Sequence, residues 1–189
     1  MKKTIIVFIA CCLFNASFAQ GKYFTKDGIV SFQAGTEMEE IEGINKTAMA
    51  IFDSATGQIE FAVLVKGFEF KKALMQDQFN GNYMESSKFP KAVFRGQILH
   101  MDSINFKKTG FYPVTVTGTL EMHGVTKEIE TACMFRVLND AKVTSETAFT
   151  VELSDYKIDI PGIVRDKIAK TATIQVYCSY YVLIETPTK

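Results

Sequence analysis

VTVTGTLEMHGVTKEIETACMFRV, residues 114–137, decides the fold. Val114, Val116, Gly118, Leu120 and Met122 fall on one parity, with Thr115, Thr117, Thr119 and Glu121 on the other. After His123-Gly124, Ile129, Thr131, Cys133, Phe135 and Val137 alternate with Glu128, Glu130 and Arg136. A period of two gives each segment one dry and one wet face, the mark of antiparallel strands. A two-residue joint ending in Gly between them marks a hairpin.

The same reading extends in both directions. Phe149, Val151 and Leu153 alternate with Thr150 and Glu152, and Ile174, Val176, Cys178, Tyr180 and Val182 with Thr173, Gln175, Tyr177 and Ser179. Strands are also predicted near 28–34, 46–52, 58–70 and 92–102, with turns at Asp53–Gly57 and Leu138–Ala141. About eight antiparallel strands can close into a barrel whose interior suits side chains or one small ligand. In strand 58–70 both parities are apolar: Ile59, Phe61, Val63 and Val65 against Ala62, Leu64, Phe68 and Phe70. One face is expected to line the barrel and the other to be covered from outside. A helix within Lys71–Asn80, with Leu74, Met75, Gln78 and Phe79 at helical spacing, is the expected cover. Burial against a second copy in a homodimer is the alternative. Ser154–Lys170 is too apolar for a plain connection and reads either as a lid across the barrel end or as a long turn with a helical segment.

The N-terminus stands apart from this pattern. Lys2-Lys3, an apolar run to Phe14, and the small residues Ser17 and Ala19 predict a secretory signal over residues 1–19, cleaved before Gln20. The run is too short for a membrane span of ~20 residues, and Phe8 fits poorly with lipid attachment at Cys11. The expected product is one domain, residues 20–189, periplasmic or secreted. It retains Cys133 and Cys178, which sit on apolar strand faces and read as buried free thiols.

Composition removes other classes. Lys+Arg and Asp+Glu are equal at 21 each, which leaves no basic footprint for nucleic acid. His100 and His123 stand alone, no metal-ligand spacing accompanies them, and no nucleophile elbow or phosphate loop occurs. His100 shares strand parity with Phe94 and Ile98. No catalytic residue, metal or cofactor is therefore expected. Lys71, Lys72, Lys88, Lys91 and Arg95 cluster around the helix, and Lys157, Arg165, Lys167 and Lys170 flank the lid segment. Cations at a barrel mouth suit an anionic head group, and Lys88, Lys91 and Arg95 are the head-group candidates.

Met75–Gly96, which runs from the helix through Lys88-Phe89-Pro90-Lys91-Ala92-Val93-Phe94, resembles a signature of the YceI-like family, as does the hairpin Gly118-Thr119-Leu120-Glu121-Met122-His123-Gly124-Val125-Thr126-Lys127. Ile160-Pro161-Gly162 is a weaker match, and the opening Thr25-Lys26-Asp27-Gly28-Ile29 departs from the family by lacking its His. The resemblance implies an all-β, eight-stranded, lipocalin-like antiparallel barrel with one or two short helices, exported, without catalytic residues. It further implies an isoprenoid-type lipid, a polyprenyl chain or a quinone, held inside. The lining expected on this basis is Phe61, Val63, Val114, Val116, Leu120, Phe135, Phe149, Val151 and Val176, with Met84, Phe89, Ile160 and Ile163 at the mouth. The rival reading is a barrel filled by these same residues, serving as an exported interaction or structural module.

Overall fold

The computed structural model describes residues 21–183. The proposed signal segment, with Cys11 and the cleavage site, lies outside the described residues. Eight strands close into an antiparallel barrel in sequence order, each pairing with the next and β8 with β1. They are β1 (Lys22–Gly35), β2 (Glu42–Asp53), β3 (Gln58–Leu64), β4 (Lys91–Ile98), β5 (Gly110–Met122), β6 (Val125–Asn139), β7 (Lys142–Glu152) and β8 (Ile168–Val182). Closure leaves no free sheet edge.

Local chemistry fixes the register. The β5–β6 hairpin pairs Met122 with Val125 around His123 (φ 51°) and Gly124 (φ 72°). Two successive positive φ values define a type I′ turn, whose twist matches that of the strands it joins; Gly adopts them freely and His tolerates them better than most residues. Where β4 and β5 bend most closely together, Gly96 faces Gly118, and a Cβ on Gly118 would lie 2.5 Å from the Gly96 Cα. Paired glycines of this kind make a barrel corner.

The expected strand 58–70 is shorter than its apolar pattern suggests. β3 ends at Leu64, and Val65–Gly67 form a 3₁₀ turn. Asn45, fully buried, donates from Nδ2 to the Leu64 carbonyl (3.0 Å) and accepts from the Thr47 amide (2.8 Å). These bonds satisfy the backbone where the ladder stops, so the chain can turn inward. It rejoins β2 through a two-way bridge between Glu69 and Ile44 (2.8 and 3.0 Å), bringing Phe68 and Phe70 over the barrel end. The second apolar parity is thus explained by this inward turn; Leu64, which stays on the strand, is 50% exposed. The helix α1 (Ala73–Gln78) continues as a wider turn through Tyr83 instead of ending at Asn80-Gly81, and it covers the barrel mouth and not the outside of β3. His100 lies beyond the end of β4 in a left-handed turn (φ 57°), not in a strand.

The two ends of the barrel differ. At the end bearing the β2–β3, β4–β5 and β6–β7 turns, the interior is solid. Tyr23 stacks on Phe52 (4.9 Å) and Phe106 (5.3 Å), while Phe135 and Tyr180 meet Phe52 edge-on (5.4 and 5.0 Å). Val137 and Val143 are fully buried beside them. Offset and edge-on contacts of this kind add to the area that the rings bury, and Tyr23 finds a partner for its hydroxyl in the Asp140 carbonyl (3.0 Å). Cys133 and Cys178 are free and buried in the same interior.

Candidate functional site

The opposite end carries the long connections: β1–β2, β3–β4 with its helix, and β7–β8. Between them and the aromatic floor lies an apolar cavity of about 390 Å³, within the ~300–1,000 Å³ range of small-molecule sites. Val63, Ala92, Val151 and Ala172 contribute from the strands. Phe32, Phe68, Phe70 and Phe79 contribute a second aromatic group, with Phe32 stacked on Phe79 at 5.3 Å and Phe70 5.0 Å from Phe79. Met75, Tyr83 and Met84 come from the helix and its extension, Ile168 from the start of β8, and Ile158 and Val164 from the β7–β8 connection, which therefore packs across the barrel end as a lid.

The lid is pinned by His123. Its Nδ1 donates to the Tyr156 carbonyl (2.8 Å), its Nε2 lies 3.1 Å from Glu85 Oε2, and its ring meets Phe89 edge-on at 4.7 Å. The β5–β6 turn is thereby joined to both neighbouring connections. A lone His in a sequence shows nothing of this, since its partners are 33 and 38 residues away.

Val63, Met84 and Val151, of the expected lining, face the cavity. Phe61 and Val176 pack beside it against the cluster of Val30, Ala48, Val63 and Phe68. Val114, Val116, Leu120 and Phe135 belong to the main packed core, with Phe149 against it. Phe89 lies on His123, Ile160 is half-buried in the lid, and Ile163 is 93% exposed. Among the cations, Lys88 lies 3.9 Å from Glu85 and over the Phe89 ring, Arg95 pairs with Glu60 at 3.5 Å, and Lys91 is exposed at the start of β4. The cations that reach the cavity are Lys72 and Lys167, both bonded to Glu39. Those bonds hold the Glu39 carboxyl below its usual range, Lys72 contributing most. The sequence signals for the missed lining were the helical spacing of Met75 and Phe79 and the second apolar parity at Phe68 and Phe70; both were visible as patterns, but neither discloses a destination.

Among the described residues there is no grouping of three or more His, Cys, Asp or Glu fit for a metal, and no helix long and apolar enough to cross a membrane. Burial raises the Cys133 thiol to about 12 and the Cys178 thiol to about 11. Neither is a nucleophile in this setting, because the thiolate is the reactive form.

The sequence model of the YceI-like domain matches residues 25–180, which is most of the chain. The chain belongs to the YceI-like family. Solved structures share the fold of this YceI-like barrel at low sequence identity. A polyisoprenoid binding domain from Saccharophagus degradans superposes with a TM-score of 0.76 at 11% identity, covering 87% of this chain and 99% of its own. BcnA of Burkholderia cenocepacia gives 0.66 at 20% identity (82% and 96% covered), and the Campylobacter jejuni YceI protein 0.52 at 17% (72% and 83%). No curated protein sequence matches this YceI-like chain.

Proposed function

We propose that this protein is an exported carrier that encloses the apolar tail of an isoprenoid-type lipid, a polyprenyl chain or a quinone, in the upper half of its barrel. The observation that carries the reading is the apolar cavity of about 390 Å³ between the aromatic floor and the lid. Water in such a space has few polar partners, and transfer of an alkyl chain into it gains roughly 25 cal/mol per Å² of apolar surface removed from water. The open half of the barrel favours a ligand-binding module over a filled structural barrel. The family supports the class of ligand, since the similar domain from Saccharophagus degradans is described as polyisoprenoid binding. The size of the cavity, near the lower end of the range for such sites, suits enclosure of part of a long chain. The remainder would leave past Leu74, a lining residue that is 68% exposed. Export is supported by the cationic start, apolar run and small-residue site of residues 1–19.

The test is organic extraction of natively purified protein followed by mass spectrometry, with the intact mass measured alongside. A prenyl lipid or quinone bound at up to one per chain and a mass beginning at Gln20 are expected. Recovery of no lipid together with failure to take up a neutral apolar fluorophore would overturn the carrier reading. A mass that retains residues 1–19, or that carries diacylglycerol on Cys11, would overturn cleavage after Ala19.

A further inference from the structure

Glu39, Lys72 and Lys167 are the charged side chains among those lining the cavity, and they meet at one carboxylate. Lys72 Nζ lies 2.9 Å from Glu39 Oε1, and Lys167 Nζ lies 3.5 Å from Glu39 Oε2. They arrive from three connections: Glu39 between β1 and β2, Lys72 just before α1, and Lys167 just before β8. Thr36 ties the first connection to the third by donating to the Asp166 carbonyl (2.6 Å), so the convergence is supported by backbone. Glu39 is the enclosed member, its side chain 24% exposed against 64% for Lys72 and 54% for Lys167.

Each ammonium has three N–H donors and no acceptor. Glu39 accepts one bond from Lys72 and lies beside Lys167, so both lysines keep N–H donors that Glu39 does not use. The group as a whole carries two positive charges and one negative. The adjoining pair, Lys71 and Glu40 at 3.1 Å, is balanced within itself, and Glu42 lies with it in a neighbouring cleft that Glu39, Lys72 and Lys167 also border. An amphiphile whose tail is short enough to lie wholly within the apolar space brings its head to this group. An oxygen anion would meet two cations with donors to spare. An alcohol would gain hydrogen bonds without the charge term, and an amine would meet two like charges around a carboxylate already engaged. Charge-assisted bonds are about twice as strong as neutral ones.

We infer that Lys72, Glu39 and Lys167 form the head-group subsite of this cavity, and that it selects an apolar chain ending in an anionic oxygen head, such as an isoprenoid carboxylate, over the alcohol or amine with the same tail. The inference rests on the carrier reading and adds the ligand's charge class to it. Lys88, Lys91 and Arg95 do not line the cavity and take no part.

Three probes with one tail separate the two claims: farnesoic acid, farnesol and farnesylamine, each displacing the neutral fluorophore N-phenyl-1-naphthylamine. At low salt the acid is expected to bind about tenfold tighter than the alcohol, the equivalent of about 1.4 kcal/mol, and the amine weakest. The advantage should shrink toward parity at 1 M salt, where the screening length falls to about 3 Å. K72M/K167M should erase it, costing farnesol only its weaker neutral hydrogen bonds, and retained uptake of N-phenyl-1-naphthylamine reports that the variant is folded. Glu39→Gln removes the competing carboxylate and should tighten the acid further, and K72E/K167E should invert the order in favour of the amine. Equal affinity of native protein for acid and alcohol, or an acid preference that survives in K72M/K167M, would overturn the inference while sparing the carrier reading. Failure of all three probes and of the fluorophore to bind would overturn both.

Discussion

His123 and Glu85, 38 residues apart in the chain, meet with Nε2 3.1 Å from a carboxylate oxygen. The other ring nitrogen donates to the Tyr156 carbonyl at 2.8 Å, so one buried imidazole joins three connections at the barrel mouth. Its role here is that of a brace. His123→Ala leaves a backbone carbonyl without its partner and should cost about 1–3 kcal/mol in urea unfolding. Glu85→Gln should cost much less, because the Glu85 side chain is 45% exposed. Equal costs would show that the pair to Glu85, and not the bond to Tyr156, carries the brace.

Gly124 is held by conformation and by space. Its φ is +72°, and a Cβ there would come 2.5 Å from the Phe89 ring. Gly124→Ala should lower stability by more than the roughly 1–2 kcal/mol charged for a left-handed L-residue. Phe89→Ala, made in the Gly124→Ala background, should recover the part due to the ring. A double-mutant cycle in thermal unfolding measures that coupling, and strict additivity would exclude the clash.

Floor and cavity make opposite predictions. Phe135 is fully buried in the floor, so Phe135→Ala should cost about 3–5 kcal/mol while the folded fraction still takes up ligand. Ala92 borders empty space, so Ala92→Phe should abolish uptake of an apolar fluorophore with little loss in Tm. A folded Ala92→Phe variant that binds as the parent does would place the ligand elsewhere.

The thiols give a pH signature. Burial raises Cys133 from 9.0 to about 12 and Cys178 from 9.0 to about 11. In the unfolded chain both ionise near the ordinary value, so from pH 9 to about 11 for Cys178, and to about 12 for Cys133, the unfolded state loses protons that the native state keeps. The stability tied to these protons is complete below pH 9 and is lost as pH rises through that window. Cys133→Ser/Cys178→Ser should flatten this part of the alkaline unfolding curve. Native protein at pH 8 should also resist iodoacetamide until denaturant is added, and rapid labelling of the native fold would contradict the burial.

Much of the barrel was legible in the sequence. The alternation at 114–137 and 174–182 identified strands and their inward faces, because successive side chains must point to opposite sides of a strand. His123-Gly124 identified a tight hairpin, because few residues accept two positive φ values in succession. The same reasoning misjudged 58–70, since apolar parity cannot reveal that a buried Asn45 takes over the Leu64 carbonyl and turns the chain inward.

Height along the barrel axis was not legible, and it decides the site. Val116 and Val151 both read as inward-facing, yet one belongs to the packed core and the other also lines the cavity. A period of two says which side of the sheet a residue occupies and nothing about its layer, because the layer depends on how eight strands stagger against one another on closure. Tyr23, Phe52, Phe106, Phe135 and Tyr180 come from five separate segments and meet as a floor only once that stagger is set. The same holds for Lys72 and Lys167, 95 residues apart and brought to one carboxylate by loops that cross the mouth. The sequence by itself determined most strands and turns, since these follow from neighbours in the chain, and its family resemblance implied the eight-stranded barrel; the tertiary structure alone decided which half of the barrel is solid, which is open, and which charges guard the opening, since these follow from contacts between segments far apart in the chain.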